Sequence, residues 1–208
     1  MTPENDSSRT FGQEEKNNKW EVFTCIRPRC LEKAGGDFCY VKEKDGDVLV
    51  VLADVLGHGE RAYQDAVIIS EALQHASGGL SQVYLLLETA ASRTRGCALF
   101  LASLKEVAIE YILIGNIRGW LVTPFAVEGL VRQPGIVGKK MVKPIIRHRE
   151  VTGTAYLLVC SDGIRSGFSP TVLRHFWESS LATTACHVLG KYGIAEDDAS
   201  VLVARRCV

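Results

Sequence analysis

The sequence predicts an α+β fold, with strands grouped with strands and helices with helices. Three observations carry this expectation. The apolar periodicity runs strands, two helices, several strands, two helices and a strand. The links between neighbouring strands are short, as at Asp45-Gly46-Asp47 and Lys105-Glu106, which suits antiparallel pairing. The run Val48-Leu49-Val50-Val51-Leu52-Ala53 is apolar throughout, as in a strand buried on both faces.

The elements follow in order. Trp20 to Ile26 reads as a strand. Phe38 to Lys44 and Val48 to Ala53 form a hairpin, because Asp45-Gly46-Asp47 is a strong turn signal. Ala62, Ala66, Ile69 and Leu73 recur at helical spacing, with Gly78-Gly79 as a stop. A second helix from about Ser81 to Ser92 carries Val83, Leu86, Leu87 and Ala90 on one side. Strands return at Cys97 to Leu104, Val107 to Gly115 and Gly119 to Thr123. Leu130 to Arg149 is rich in Gly, Pro and basic residues and reads as irregular with short strands. Thr154 to Cys160 is a buried strand, Pro170 to Ser179 and Thr183 to Lys191 are helices, and Ser200 to Ala204 is a closing strand.

The chain has 208 residues, 47% of them apolar, and a formal net charge of +0. One domain with a substantial core is expected over 20–208, behind a disordered lead-in at 1–19. The balanced charge argues against nucleic-acid or membrane-surface binding. No apolar run reaches membrane-spanning length and no signal peptide is evident, so a cytoplasmic monomer is expected. The seven cysteines are irregularly spaced and form no Cys-x-x-Cys pair, which favours reduced thiols over disulfides or zinc.

Four aspartates stand at strand ends or in turns beside them: Asp37 in Gly35-Gly36-Asp37-Phe38, Asp54 in Ala53-Asp54-Val55-Leu56-Gly57-His58-Gly59, Asp162 in Cys160-Ser161-Asp162-Gly163, and Asp197 in Glu196-Asp197-Asp198. Singly, each reads as a turn-forming Asp. Together they are a hard-cation ligand set, because carboxylates suit Mg²⁺ and Mn²⁺. Each converging pair about 4 Å apart would repel by roughly 4 kcal/mol without a cation.

These strings, with Arg95-Gly96-Cys97-Ala98 and Gly115-Asn116-Ile117-Arg118, resemble in order and interval the metal-dependent type 2C (PPM) protein phosphatases. The resemblance is to the SpoIIE-like bacterial branch, and within it to the stand-alone stressosome phosphatases. It covers about Trp20 to Arg205 and implies an αββα sandwich of two packed antiparallel sheets flanked by helices. It also implies that Asp54 bridges two divalent cations, Mn²⁺ or Mg²⁺, with the Val55 carbonyl as a further ligand. Asp162 and Asp197 would hold one ion and Asp37 would bind near the other. The implied activity is hydrolysis of phosphoserine or phosphothreonine by metal-activated water. The implied partners are phosphorylated STAS-domain proteins of a stressosome.

Two features depart from the family pattern. The usual Asp-Gly is Asp54-Val55 here, and Val resists positive φ. No basic residue among Arg27, Arg29 and Lys33 matches the family's phosphate-binding Arg cleanly. The rival readings are a phosphatase of a free anti-anti-sigma factor and an inactive pseudophosphatase that serves as a binding module. A haloacid-dehalogenase-type enzyme ranks lower, because Asp45-Gly46-Asp47 has the letters of its motif but lies in a hairpin turn. His58 reads as structural rather than as a leaving-group acid, and Cys39 and Cys160 as core thiols. The basic segment Lys139 to Lys143, with Arg147 and Arg149, reads as a solvated loop. Trp120, Phe125 and Trp177 read as core or edge packing.

Overall fold

The computed structural model describes residues 11–16, 19–139 and 142–206. The apolar alternation closes these residues into two antiparallel sheets. One holds six strands in the order β1-β2-β11-β10-β7-β8 and the other five in the order β3-β4-β5-β6-β9. The strands are β1 Phe11–Lys16, β2 Trp20–Arg27, β3 Asp37–Lys44, β4 Asp47–Val55, β5 Cys97–Leu104, β6 Ala108–Ile114, β7 Arg118–Val122, β8 Val127–Gly129, β9 Arg147–Glu150, β10 Tyr156–Cys160 and β11 Ala199–Arg206. The α-helices are α1 Gly59–Ala72, α2 Leu80–Ala91 and α3 Leu181–Tyr192.

Strand β4 shows why the layers stack as they do. Val48, Val50 and Leu52 face the other sheet, where, beside Phe100 of their own sheet, they meet Val22, Leu157 and Leu202. Leu49, Val51, Ala53 and Val55 face the opposite way, onto Ala66, Ile69, Val83 and Leu87 of α1 and α2. A strand buried on both faces has no polar positions to spare, hence its continuous apolar run. On the outer face of the six-stranded sheet, Tyr156, Leu158 and Cys160 of β10 pack with Ala185, Val188 and Leu189 of α3. The result is the expected αββα sandwich.

The β3–β4 turn places Asp45 at φ 53° and Gly46 at φ 83°, as a tight hairpin requires. The structure corrects three expectations. Residues 11–16, assigned to a disordered lead-in, form edge strand β1, paired with β2 from Phe11↔Ile26 to Lys16↔Glu21. Their polar sequence hides the strand, because it is held by the backbone ladder and by Gln13, whose Nε2 donates to the Val41 carbonyl at 3.2 Å. The rest of the lead-in, 1–10 and 17–18, lies outside the described residues. Pro170–Phe176 winds as a 3₁₀ helix rather than a longer α-helix. Phe125 is 94% exposed between β7 and β8, so it is not core, whereas Trp120 and Trp177 do pack, on Phe168 and Tyr156.

Candidate active site

The site gathers at one end of the sandwich, where both sheets deliver carboxylates. Asp37 opens β3 and Asp54 stands near the end of β4, and the register sets them directly opposite each other. Two like charges facing across adjacent strands are unfavourable. From the other sheet come Asp162, just after β10, and Asp197, just before β11.

The electrostatics of these groups are coupled. Burial pushes the Asp54 carboxyl up to about 9, and Asp37, Asp162 and Asp197 push it the same way. Burial lifts Asp37 to about 7, with Asp198 and Asp162 adding to the shift and the Ser200 and Ser161 hydroxyls opposing it. Asp197 is raised by burial and by Asp162. Asp54 thus feels all three of the other predicted acids. Among the described residues, no three of them close into a formed metal-ligand shell.

Whether a hard cation suits the site is decided at Asp37. Its Oδ2 is buried and has no hydrogen-bond partner among the described residues. A buried carboxylate oxygen without a partner is costly. A divalent cation would satisfy it and offset the repulsion between neighbours. The candidate donors are all oxygens, which suits Mg²⁺ or Mn²⁺ rather than a softer metal. The residues present therefore fit such ions.

The turn after Asp54 explains how Val replaces the expected Gly. Val55 remains in β4 and is buried. The left-handed turn is displaced to Gly57 at φ 95° and Gly59 at φ 71°. A Cβ on Gly36 would come within 2.9 Å of the Val55 carbonyl oxygen, so glycine there leaves that oxygen room. Arg95 lies over Gly57 and bonds Asp65 through Nε at 2.8 Å.

Several residues not singled out in the sequence hold the acids in place. Asn116 Nδ2 donates to Asp162 Oδ2 at 2.6 Å. Asp198 accepts the backbone N–H groups of Arg29 at 2.8 Å and Gly36 at 2.7 Å, tying the Asp197 loop to the segment leading into Asp37. A Cβ on Gly163 would meet the Asp198 carbonyl at 1.9 Å, so the Asp162 and Asp197 loops interlock only with glycine there. Arg118 donates to the carbonyls of Ile164 and Arg165. Gly115-Asn116-Ile117-Arg118 and the second Asp of Asp197-Asp198 were the available signals, but sequence alone does not say what they touch.

The other candidates resolve simply. His58 Nδ1 bonds Glu32 Oε1 at 2.8 Å just before α1, consistent with a structural role. Arg27 Nη2 donates to the Ile194 carbonyl at 2.6 Å. Lys33 borders a groove that Asp37 also lines. Cys160 is buried and Cys39 packs against the inter-sheet core.

No protein-family profile and no curated protein sequence matches the chain. Solved structures do. A chain from work on the bacterial stressosome as a modular system adapted to control secondary messenger signaling superposes with TM-score 0.82 at 27% identity, over 90% of this chain and 100% of that one. RsbX in complex with magnesium gives 0.81 at 18% identity, over 95% and 100%. The catalytic domain of the serine/threonine protein phosphatase PstP with two manganese ions gives 0.71 at 17% identity, over 91% and 99%. This chain has the fold of the PPM phosphatases. The superpositions extend over nearly the whole of this chain and of each of these chains.

Proposed function

We propose that the chain is a metal-dependent protein-serine/threonine phosphatase. The observation that carries this is the facing pair Asp37 and Asp54, one with a buried, unpartnered oxygen and the other driven to about 9. A fold that tolerates such a pair is organised around cations. Asp54, the Val55 carbonyl, Asp162, Asp197 and Asp37 would hold two divalent ions, Mn²⁺ or Mg²⁺. Bound there, such ions supply activation of water at neutral pH and neutralisation of phosphate charge.

The chain's own residues do the rest. Asn116 fixes the orientation of the Asp162 carboxylate through its 2.6 Å bond, as supporting groups do around ligands. Asp198 fixes the approach to Asp37. The thiols are poor nucleophile candidates, because burial raises Cys160 and Cys97 to about 12. Attack by water on phosphorus, with release of the serine or threonine oxygen, then needs no phosphoenzyme.

The substrate we propose is a phosphoserine or phosphothreonine on a STAS-domain stressosome protein, with the chain acting as a cytoplasmic monomer. Supporting this are the stressosome and RsbX structures among the matches. The described residues also contain no helix long and apolar enough to cross a membrane. The deciding experiment is Mn²⁺-dependent phosphate release from phosphorylated stressosome scaffold proteins and from a free anti-anti-sigma factor, with Asp54→Asn as control. Preference for the anti-anti-sigma factor moves the chain to that role. Stoichiometric Mn²⁺ binding without turnover makes it a pseudophosphatase.

A further inference from the structure

A groove of about 390 Å³ is bordered by Asp37 and lined by Ile26, Pro28, Lys33, Ala34 and Tyr63. We propose that this groove is a specificity subsite that takes a large apolar side chain next to the phosphorylated residue of the substrate. The proposal rests on the phosphatase reading above and adds to it a sequence preference.

The placement argues for the occupant. Asp37 belongs to both the catalytic cluster and the groove. An extended chain advances about 3.3–3.6 Å per residue. With the phosphoryl group at the carboxylates, the groove is therefore within reach of a residue beside the phosphoserine. The walls come from three parts of the fold: Ile26 from β2, Pro28 and Ala34 from the segment leading into β3, and Tyr63 from α1. That segment is held by Asp198 and by Cys30 N–H donating to the Ala195 carbonyl at 2.8 Å, so the groove is preformed.

Its chemistry favours an apolar occupant over most of the lining. Apart from Lys33 and Asp37 the lining carries no formal charge, and a charge held against Ile26, Pro28, Ala34 and Tyr63 would lose its hydration there. The same segment displays Leu31, 82% exposed, at φ 71°. A leucine rarely adopts the left-handed region, and strained residues of this kind concentrate at binding sites. An apolar side chain held outward on the segment that supplies part of the groove's lining is what a substrate polypeptide would meet.

The test uses the Mn²⁺-loaded enzyme, N-acetyl-phosphoserine amide, and short glycine-based phosphoserine peptides carrying Leu or Asp at each flanking position in turn. At one flank, Leu is expected to raise kcat/KM by about fivefold or more over Gly, through KM, with Asp no better than Gly. Within each variant, the Leu-to-Gly ratio is expected to fall to about one in Ala34→Phe, which fills the groove, and in Tyr63→Ala, which removes a wall. Hydrolysis of N-acetyl-phosphoserine amide with equal Leu and Gly ratios at every flank overturns the subsite and leaves the phosphatase reading standing. A Leu preference that survives in both variants also overturns it. No hydrolysis of any phosphomonoester removes the phosphatase reading, and the subsite with it.

Discussion

Replacing Asp54 by Asn is expected to stabilise the metal-free protein while abolishing its activity. The Asp54 carboxyl stands at about 9 in the fold against an ordinary 3.8. A carboxyl raised on folding contributes most at low pH. Between the two values the folded chain keeps a proton that the unfolded chain has lost, so stability falls as pH rises from about 4 to about 9. The ceiling is about 1.4 kcal/mol per pH unit. Partial exposure and coupling to three neighbouring acids reduce it, and about 2 kcal/mol at pH 8 is a reasonable expectation. Asn cannot ionise, so Asp54→Asn should recover that amount at pH 8 and almost none near pH 4. For a chain of this size the gain corresponds to roughly 4–8 °C in Tm. The assay is thermal or urea unfolding in EDTA at both pH values, repeated with Mn²⁺. Mn²⁺ should raise the Tm of the wild type and have much less effect on the variant, because a ligand stabilises only as far as it binds. Equal destabilisation of Asp54→Asn at both pH values, or an unchanged Mn²⁺ response, would refute the reasoning.

The other expectations concern the same cluster and its supports. Asp162→Asn should lose turnover at saturating Mn²⁺ while its circular dichroism and unfolding remain cooperative. Asn116→Ala, which removes the 2.6 Å bond to Asp162, should reduce metal affinity or activity by about 10- to 100-fold, read as a shift in the Mn²⁺ activation curve. Activity should vanish in EDTA and survive thiol-blocking reagents, since the exposed thiols Cys30 and Cys186 are absent from the carboxylate cluster. Gly163→Ala should cost at least about 3 kcal/mol in an unfolding titration, as its Cβ would stand 1.9 Å from the Asp198 carbonyl.

The elements with strong periodicity were legible because burial dictates it. The β3–β4 hairpin, β5, β10 and the two helices over the five-stranded sheet all fall where their apolar residues place them. What escaped was held by interactions that composition does not record. Strand β1 is polar and depends on backbone pairing along Glu21 to Ile26. The 3₁₀ turn at Pro170–Phe176 differs from an α-helix only in hydrogen-bond spacing. At the site, the four aspartates could be named because each follows or precedes an apolar strand. Their supports could not, because Asn116 reaches Asp162 across 46 positions and Asp198 reaches Gly36 across 162.

That separation bears on how the site is built. Asp37 and Asp54 belong to one sheet, Asp162 and Asp197 to the loops of the other. Their spacing is therefore set by how the two sheets pack, through Leu52, Phe100, Leu157, Val159 and Leu202 between them. Packed interiors resist small displacements, so the inter-sheet core acts as the ruler for the carboxylates. Asp198 adds a direct tie, because its carboxylate on Arg29 and Gly36 joins the β11 side to the start of β3. Gly35 permits this, since a Cβ there would lie 2.3 Å from the Asp198 carboxylate. The pairing of Gly35-Gly36 with Asp198 thus has a mechanical reason independent of metal binding: it brings the two halves of one site to a common position. The carboxylates can be forced together only because the remainder of the sandwich holds them there. The same force raises Asp37 and Asp54 above ordinary carboxylates, so the cost of assembling the site and the affinity expected of it for cations have a single origin.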